Sequence, residues 1–137
     1  MKGAVPTVRG DEVAPLARLL IVDDHDLMRK STHVMLEGEP DLEVIGEAVN
    51  GRQALELCRQ LRPDVVLMDV RMPEMDGLTA TREIKKEMPA ISVLMLSAYE
   101  SEDYRREAAS VGATGYILKD AERHQLLEAV RSAWRKR

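Results

Sequence analysis

The chain has 137 residues, of which 45% are hydrophobic and 32% are charged. This length and composition are typical of a single globular domain with one hydrophobic core. A net charge of −4 and an aromatic content of 3% argue against general binding to nucleic acids or anionic membranes, because neither charge attraction nor base stacking is favoured. No apolar run reaches the roughly 18–20 residues that a membrane-spanning helix needs.

Residues 1–16 mix glycine, proline and charged residues without a clear period, which predicts a flexible N-terminal extension. Asp11 and Glu12 interrupt any apolar run there, so a secretory signal peptide is not expected. The single cysteine, Cys58, has no partner for an intrachain disulfide and is expected to be inert core on the apolar face of a helix. These features fit a cytoplasmic protein.

Strand-like and helix-like segments then alternate five times along the chain. Short apolar runs of the kind found in buried parallel strands lie at 19–22, 42–48, 65–68, 91–96 and 114–118. Apolar residues at helical spacing follow each run, at 27–37, 54–61, 78–88, 101–110 and 126–134. This alternation predicts an α/β fold, a single (βα)5 doubly wound parallel sheet with helices on both faces, and the second strand is expected at an edge.

Surface and buried faces of the helices are predicted from the same spacing. In the first helix, Leu27, Ser31, Val34 and Met35 are predicted to form the buried face. Asp26 precedes them and is expected to cap the helix N-terminus, because aspartate is favoured at that position. In the fourth helix, a run of charged side chains is predicted to face solvent: Glu102, Asp103, Arg105 and Arg106.

Hydrophilic side chains follow four of the predicted strands. Asp23 and Asp24 follow the first strand, and Asp69, Ser97 and Lys119 follow the third, fourth and fifth strands. The carboxyl ends of parallel strands meet at one edge of a sheet, so three carboxylates, one hydroxyl and one ammonium are expected to lie together. Crowded carboxylates repel one another unless a cation is present. The sequence therefore predicts a site for a hard divalent ion, and Mg²⁺ prefers such oxygen ligands.

This set of groups suits phosphoryl transfer, in which positioning and charge neutralisation do most of the work. Asp69 is the best candidate for a nucleophile toward phosphorus, because it ends the central apolar run and carboxylates are known to act in this way. Asp23 and Asp24 would hold the metal ion with Asp69, and the backbone carbonyl of Arg71 would reach the same ion. Lys119 supplies a point charge suited to a phosphoryl oxygen.

These strand ends resemble those of the receiver domain of bacterial two-component response regulators. The matching residues are Asp23, Asp24, Asp69, Met72-Pro73, Asp76-Gly77, Ser97-Ala98, Tyr116 and Lys119. The resemblance extends from about Arg18 to Trp134, and the segments DDH and GYILKD are most similar to the NarL/FixJ-type (LuxR-family) subfamily. It implies a flavodoxin-like fold with strand order 2-1-3-4-5 and a receiver domain at 17–137.

The resemblance also implies how such a domain works. Asp69 would accept a phosphoryl group from a sensor histidine kinase in a Mg²⁺-dependent reaction and lose it slowly by self-dephosphorylation, which makes the chain a phosphoacceptor rather than an enzyme. Ser97 matches the hydroxyl that moves toward the phosphoryl group, and Tyr116 matches the aromatic that then turns inward. The surface of the fourth helix, fifth strand and fifth helix would change its partner preference, and the same analogy allows a homodimer on phosphorylation.

Members of this subfamily normally continue into a helix-turn-helix DNA-binding domain, whereas this sequence ends at Arg137. The output is therefore expected to be a transcriptional domain that is missing from this chain, with no direct nucleic-acid contact by the chain itself. The alternative is a stand-alone receiver that acts through protein–protein contacts. Neither interpretation involves a membrane.

Two further hypotheses come from the same residues. A Mg²⁺-dependent phosphohydrolase of the haloacid dehalogenase type would also use Asp69 as its nucleophile, but it needs a second acid where this chain has Arg71. A receiver-like protein that binds partners without phosphorylation is disfavoured by the intact acids, Ser97 and Lys119.

Three more residues border the predicted site. Arg71 and Tyr99 lie at positions where family members tune the access of water, and a cation and a large ring there predict moderated hydrolysis of the acyl phosphate. His25 follows the acid pair, and a loop or surface role is preferred for it over metal binding.

Overall fold

The structure, a computed structural model, describes residues 16–136, so the expected extension at 1–16 lies outside the described residues except for Leu16. The elements are β1 (Ala17–Val22), α1 (Asp26–Leu36), β2 (Leu42–Ala48), α2 (Gly51–Leu61), β3 (Val65–Asp69), α3 (Gly77–Glu87), β4 (Ser92–Ser97), α4 (Glu102–Ser110), β5 (Gly115–Leu118) and α5 (Arg123–Arg135). None of these helices combines the length and apolar character that crossing a membrane requires.

The strands form one sheet in the order β2-β1-β3-β4-β5, and each neighbouring pair is parallel. The predicted flavodoxin-like order is confirmed, and β2 lies at an edge as expected. The chain leaves β1 toward β2 on one side and later returns to β3 on the other side. The loops after β1 and β3 therefore lie at the point where the strand order reverses, which is the position where open α/β sheets bind ligands.

Alternate residues of the central strand β3 feed two hydrophobic layers. Val66 and Met68 pack in the layer that includes α2, α3 and α4, whereas Val65 and Leu67 pack in the layer that includes α1 and α5. All five residues of β3 are buried. Each fully buried aliphatic side chain contributes about 1.5–3 kcal/mol to folding. Because helices cover both faces of the sheet, its inner strands are continuous apolar runs in the sequence. This is why their positions could be predicted from the sequence.

Cys58 is buried in the layer beneath α2, as expected. Burial raises the pKa of its thiol to about 12. The reactive thiolate is therefore scarcely formed at neutral pH, so Cys58 acts as a small apolar core residue.

The predicted buried face of α1 is wrong for three of its four residues: Ser31 is exposed along with Leu27 and Val34, whereas Met35 is partly buried and packs against the core. Leu27 and Val34 are 80% and 65% exposed, whereas the buried residues of α1 are Thr32 and Leu36. Thr32 tolerates burial because its hydroxyl donates to the carbonyl of Met28 at 2.9 Å. A polar side chain whose hydrogen bond is made can thus occupy a core position, although the pattern of apolar residues predicts other residues there.

Asp26 does not cap α1, contrary to expectation. The N-cap position is His25, and Asp26 is the first helical residue. The carboxylate of Asp26 instead accepts a hydrogen bond from Arg29 at 2.7 Å. Its negative charge still lies in the first turn, where it interacts favourably with the helix dipole.

Candidate functional site

The register of the sheet brings four chemically active strand ends to one edge. Asp69 pairs with Leu96 on β4, and Ser97 pairs with Leu118 on β5. Lys119 directly follows that pair, and its backbone amide donates to the Ser97 carbonyl at 2.8 Å. The predicted meeting of these residues at the carboxyl edge of the sheet is therefore observed.

Carboxylates gather beside the end of β1. Asp23 and Asp69 are each 4% exposed, and Asp24 is partly buried. One ligand atom from each of Asp23, Asp24, His25 and Asp69 lies within 4.8 Å of all the others. The buried Oδ1 of Asp24 accepts no hydrogen bond from residues 16–136. Oxygen atoms at this spacing can share a hard divalent cation.

Lys119 balances part of this negative charge. Its Nζ lies 3.0 Å from Oδ2 of Asp23 and 3.0 Å from Oδ2 of Asp69. Burial raises the pKa of Asp69 to about 6, and the charge of Asp23 adds to that increase while Lys119 opposes it. Burial acts to lower the pKa of Lys119, but Asp23 and Asp69 together raise it. The ammonium is therefore held charged between two carboxylates.

The loop after β3 folds back tightly against Asp69. The amide of Gly77 donates to the carbonyl of Val70 at 2.9 Å, and a Cβ on Gly77 would collide with the backbone oxygen of Asp69. Asp76 caps α3 by accepting from the amide of Thr79 at 2.8 Å. The sequence predicted that Asp76-Gly77 opens a helix, but it carried no sign that only glycine fits so close to Asp69.

A second glycine buttresses the same loop from α2. The amide of Gly51 donates to the carbonyl of Met75 at 3.0 Å, and a Cβ on Gly51 would collide with that carbonyl. Glu74 and Met75 have positive φ angles of 60° and 141°. Such backbone strain persists only where surrounding contacts hold it, and here Gly51 supplies one of them.

Arg71 is placed beside Asp69 through its backbone. Its amide donates to Oδ1 of Asp69 at 3.3 Å, which helps to orient the carboxylate. Its guanidinium donates to the hydroxyl of Tyr104 at 2.9 Å. The role of the Arg71 carbonyl as a metal ligand stays a prediction.

Ser97 and Tyr116, the predicted switch pair, meet at the backbone of Tyr99. The hydroxyl of Ser97 donates to the Tyr99 carbonyl at 3.2 Å and accepts from the Tyr99 amide at 3.0 Å. The Tyr116 hydroxyl donates to the same carbonyl at 2.9 Å. The Arg105 guanidinium lies 4.6 Å from the centre of the Tyr116 ring and also donates to Glu100. Arg105 is therefore part of this cluster, with its side chain 39% exposed, whereas Glu102, Asp103 and Arg106 face solvent as expected.

These groups surround one open cavity of about 290 Å³. It is lined by His25, Asp69, Val70, Arg71, Ser97, Ala98, Tyr99 and Lys119. The His25 side chain is 68% exposed, as expected for a loop residue, yet its Nδ1 lies 3.2 Å from both Asp23 and Asp24. The cavity offers an anionic nucleophile, a cation and a hydroxyl to a small ligand.

Comparison with known proteins gives the same picture. Residues 19–131 match the family model described as the response regulator receiver domain. The transcriptional regulatory protein DegU of Brevibacillus brevis is 39% identical over 114 residues, which cover 83% of this chain and 48% of DegU. The response regulator GacA of Pseudomonas aeruginosa is 39% identical over 119 residues, covering 87% of this chain and 56% of GacA. The chain thus spans about half the length of the curated relatives it matches.

Solved structures agree in fold and sequence. The signal receiver domain of NarL from Mycobacterium tuberculosis is 34% identical with a TM-score of 0.86, and the match covers 90% of this chain and all of that domain. A LuxR-family response regulator from Aurantimonas sp. SI85-9A1 is 30% identical with a TM-score of 0.85, over 89% of this chain and 87% of that one. The chain therefore belongs to the response regulator receiver domain family of two-component systems, with relatives of the NarL and LuxR type.

Proposed function

We propose that this chain is a phosphoacceptor and that Asp69 receives a phosphoryl group from a histidine kinase. One observation carries the proposal: the buried carboxylate of Asp69 lies 3.0 Å from the Lys119 ammonium in the wall of an open cavity. A phosphorus donor can approach the carboxylate through this cavity. The cation is already in place for the charge that the phosphoryl oxygens bring.

Transfer from a phosphohistidine would proceed in one displacement. A carboxylate oxygen of Asp69 attacks phosphorus, and the new O–P bond forms as the P–N bond breaks. The bonding electron pair returns to the imidazole nitrogen, while the other ring nitrogen keeps the ring proton. The pKa of about 6 leaves most of Asp69 ionised at pH 7. Lys119 then donates to a phosphoryl oxygen through a charge-assisted hydrogen bond.

The acidic cluster fits Mg²⁺, because three of its four possible ligand atoms within 4.8 Å are carboxylate oxygens and the buried Asp24 Oδ1 accepts no hydrogen bond from residues 16–136, with the His25 ring nitrogen 3.2 Å away. Asp23, Asp24, Asp69 and the backbone carbonyl of Arg71 would hold the ion. When bound, Mg²⁺ supplies positive charge that offsets repulsion between the carboxylates and the phosphoryl group. The chain's own contribution is to keep the acids together in a partly dehydrated pocket.

Readout would begin at Ser97. A phosphoryl oxygen on Asp69 is a stronger acceptor than the Tyr99 carbonyl, so the Ser97 hydroxyl would move to it. The Tyr116 hydroxyl would then be the side-chain donor that is left at the Tyr99 carbonyl. The Tyr116 ring would turn inward. The α4-β5-α5 face would change shape and partner preference in response.

The partners of this chain follow from the same proposal. A sensor histidine kinase would present its phosphohistidine to the cavity. DegU is named a transcriptional regulatory protein, and the matched region is 48% of its length. We therefore infer that the α4-β5-α5 face controls a transcriptional output domain. A stand-alone receiver that acts through protein contacts, or a homodimer formed on phosphorylation, would use the same face.

Loss of the phosphoryl group would be slow. A phosphohydrolase with an aspartate nucleophile uses a second acid two residues later to assist water, and Arg71 occupies that position with a guanidinium that has no proton-accepting atom. Tyr99 and Arg71 border the cavity and would limit the entry of water. The expected behaviour is a phosphoacceptor with moderated self-dephosphorylation rather than an enzyme with turnover.

Incubation with acetyl phosphate and Mg²⁺ tests the proposal. Intact-mass spectrometry should show the gain of one phosphoryl group, and peptide mapping should place it on Asp69. Asp69→Asn should abolish the gain. Removal of Mg²⁺ by EDTA should prevent it, because the carboxylates would then repel the donor.

Asp103→Asn is the matched control, because Asp103 is an aspartate of α4 whose side chain is 84% exposed and paired with Arg106. It should be phosphorylated as readily as the wild type. Turnover of many acetyl phosphate molecules per protein would favour a phosphohydrolase. Absence of any mass gain would leave only partner binding without phosphorylation.

A further inference from the structure

A hydrogen bond joins the loop after β3 to the first turn of α4 beside the cavity. The Arg71 guanidinium donates to the hydroxyl of Tyr104 at 2.9 Å, although the two residues are 33 positions apart. The Tyr104 ring lies 6.5 Å from the ring of Tyr99, which also lines the cavity. Arg71 and Asp69 thus line the same cavity, with Asp69 buried and Arg71 exposed.

Arg71 is exposed, and its guanidinium has N–H donors that no other described residue uses. Within residues 16–136 its guanidinium forms no ion pair with a carboxylate, and its one side-chain hydrogen bond goes to a neutral phenol. A guanidinium has five N–H donors and binds phosphate oxygens through paired, charge-assisted hydrogen bonds. A phosphoryl group on Asp69, two residues away, would be a much better acceptor than the Tyr104 hydroxyl.

Few contacts hold α4 in place. Ala108 is the one buried residue among Glu102–Ser110. Its first turn is held by the Ser101 cap, which accepts from the amide of Tyr104 at 3.2 Å, by the exposed ion pairs of Asp103 and Arg105, and by Tyr104, which packs on the core and bonds Arg71. Helices with little buried apolar surface open locally at low cost, so the loss of one hydrogen bond should measurably increase local opening of α4.

We propose that Arg71 is shared between two acceptors and that Tyr104 is its positioning residue. Before phosphorylation, Tyr104 holds the guanidinium beside the cavity. After phosphorylation, the guanidinium leaves Tyr104 and donates to a phosphoryl oxygen on Asp69, which releases the first turn of α4. This inference rests on phosphorylation of Asp69 and adds a second route to α4, separate from Ser97 and Tyr116.

The exchange is observable by NMR of the full chain with labelled arginine side chains. The Arg71 guanidinium signal is identified by its loss in Arg71→Met. The position that it has with Mg²⁺ alone is the reference, and the signal should move from there when acetyl phosphate is added. In Tyr104→Phe, the signal should already differ before phosphorylation. After phosphorylation, the Arg71 signal of Tyr104→Phe should have the same position as in the phosphorylated wild type, because the guanidinium then donates to the same phosphoryl group.

Amide hydrogen exchange measures the effect on α4. Tyr104→Phe and Arg71→Met should each speed exchange in residues 103–106 of the unphosphorylated protein by about two- to tenfold, as expected for one lost hydrogen bond. The double variant should show no further increase, because both changes remove the same bond. The phosphorylated wild type should match the unphosphorylated variants. Lys86→Met, which removes an exposed cation of α3 and leaves the contacts of α4 in place, should leave exchange in these residues unchanged.

The outcomes separate this inference from the proposed function. A wild-type chain that gains a phosphoryl group on Asp69 without movement of the Arg71 signal would overturn the inference alone. Unchanged exchange in Tyr104→Phe would also overturn it. A chain that gains no phosphoryl group would overturn the proposed function and the inference together.

Discussion

Ser97 and Tyr116 donate their hydroxyls to the same backbone oxygen, that of Tyr99, at 3.2 Å and 2.9 Å. One hydroxyl comes from the end of β4 inside the cavity, and the other comes from β5 at the surface. The loss of either hydrogen bond therefore changes the hydrogen bonding of one carbonyl, that of Tyr99. This shared acceptor gives the predicted switch pair a direct physical connection in the unphosphorylated protein.

Tyr116→Phe should remove one bond to this carbonyl while keeping the ring beneath Arg105. The free energy of unfolding should fall by about 0.5–1.5 kcal/mol, as for other single hydrogen bonds. Urea denaturation followed by the fluorescence of Trp134 measures the change. Phosphorylation of Asp69 should persist, because the Tyr116 hydroxyl does not reach the carboxylate. Loss of phosphorylation in this variant would assign Tyr116 to the chemistry instead of the readout.

Lys119→Met should destabilise the metal-free protein strongly. It leaves the buried carboxylates of Asp23 and Asp69 without their shared cation, and the loss of one partner from a buried ion pair costs about 3–5 kcal/mol. Urea denaturation in EDTA measures the loss, and Mg²⁺ should restore part of it. Lys86→Met, at an exposed position on α3, should change stability by less than about 0.5 kcal/mol. Equal losses of stability in Lys119→Met and Lys86→Met would contradict the idea that Lys119 stabilises the buried carboxylates of Asp23 and Asp69.

The stability of the metal-free protein should depend on pH through Asp69. Its native pKa of about 6 lies above the ordinary value of 3.8, so the folded state holds the proton more tightly than the unfolded state does. Its contribution is therefore fully present below about pH 4 and is lost as the pH rises through 6. The loss should be about 2–3 kcal/mol, as follows from a pKa difference of about two units in a buried group.

Asp69→Asn is the control for this pH effect, since an amide does not titrate. Thermal unfolding in EDTA from pH 4 to pH 7 should show the wild type losing stability relative to Asp69→Asn. The variant should therefore be the more stable protein at pH 7. An increase in the stability of the wild type relative to Asp69→Asn between pH 4 and pH 7 would contradict the raised pKa of Asp69.

Gly77→Ala should disturb the site through its backbone. The new Cβ would collide with the Asp69 carbonyl, and strain of this kind costs more than about 2 kcal/mol. Asp69 should then be phosphorylated more slowly, because its carboxylate is displaced. Gly46→Ala is a suitable comparison, since its Cβ would meet only the flexible ends of Leu61 and Leu20 at 3.2 Å and 3.3 Å. A slower rate in both variants would argue against a specific contact with Asp69.

The sequence by itself determined the order of elements and the composition of the site. Inner strands covered on both faces require continuous apolar runs, so 65–68 was recognisable as a strand and Asp69 as its end. Because parallel strands share one carboxyl edge, the meeting of Asp69 with Ser97 and Lys119 followed without any coordinates. The family resemblance supplied the strand order, which local periodicity does not contain.

The tertiary structure alone decided which faces and partners these residues acquire. Leu27 and Val34 have helical spacing, yet α1 buries Thr32 and Leu36 because the orientation of a helix depends on the surface it packs against. Arg105 reads as a solvated charge until the fold places it over the Tyr116 ring.

Contacts between distant segments were equally out of reach of the sequence. The residues next to Gly77 in the sequence do not indicate that its backbone lies so close to Asp69. The hydrogen bond from Arg71 to Tyr104 joins residues that no local sequence pattern relates. Spacing along a chain reports which side chains share an element. Distances across elements are set by packing of the whole core, and the phosphoryl site depends on both.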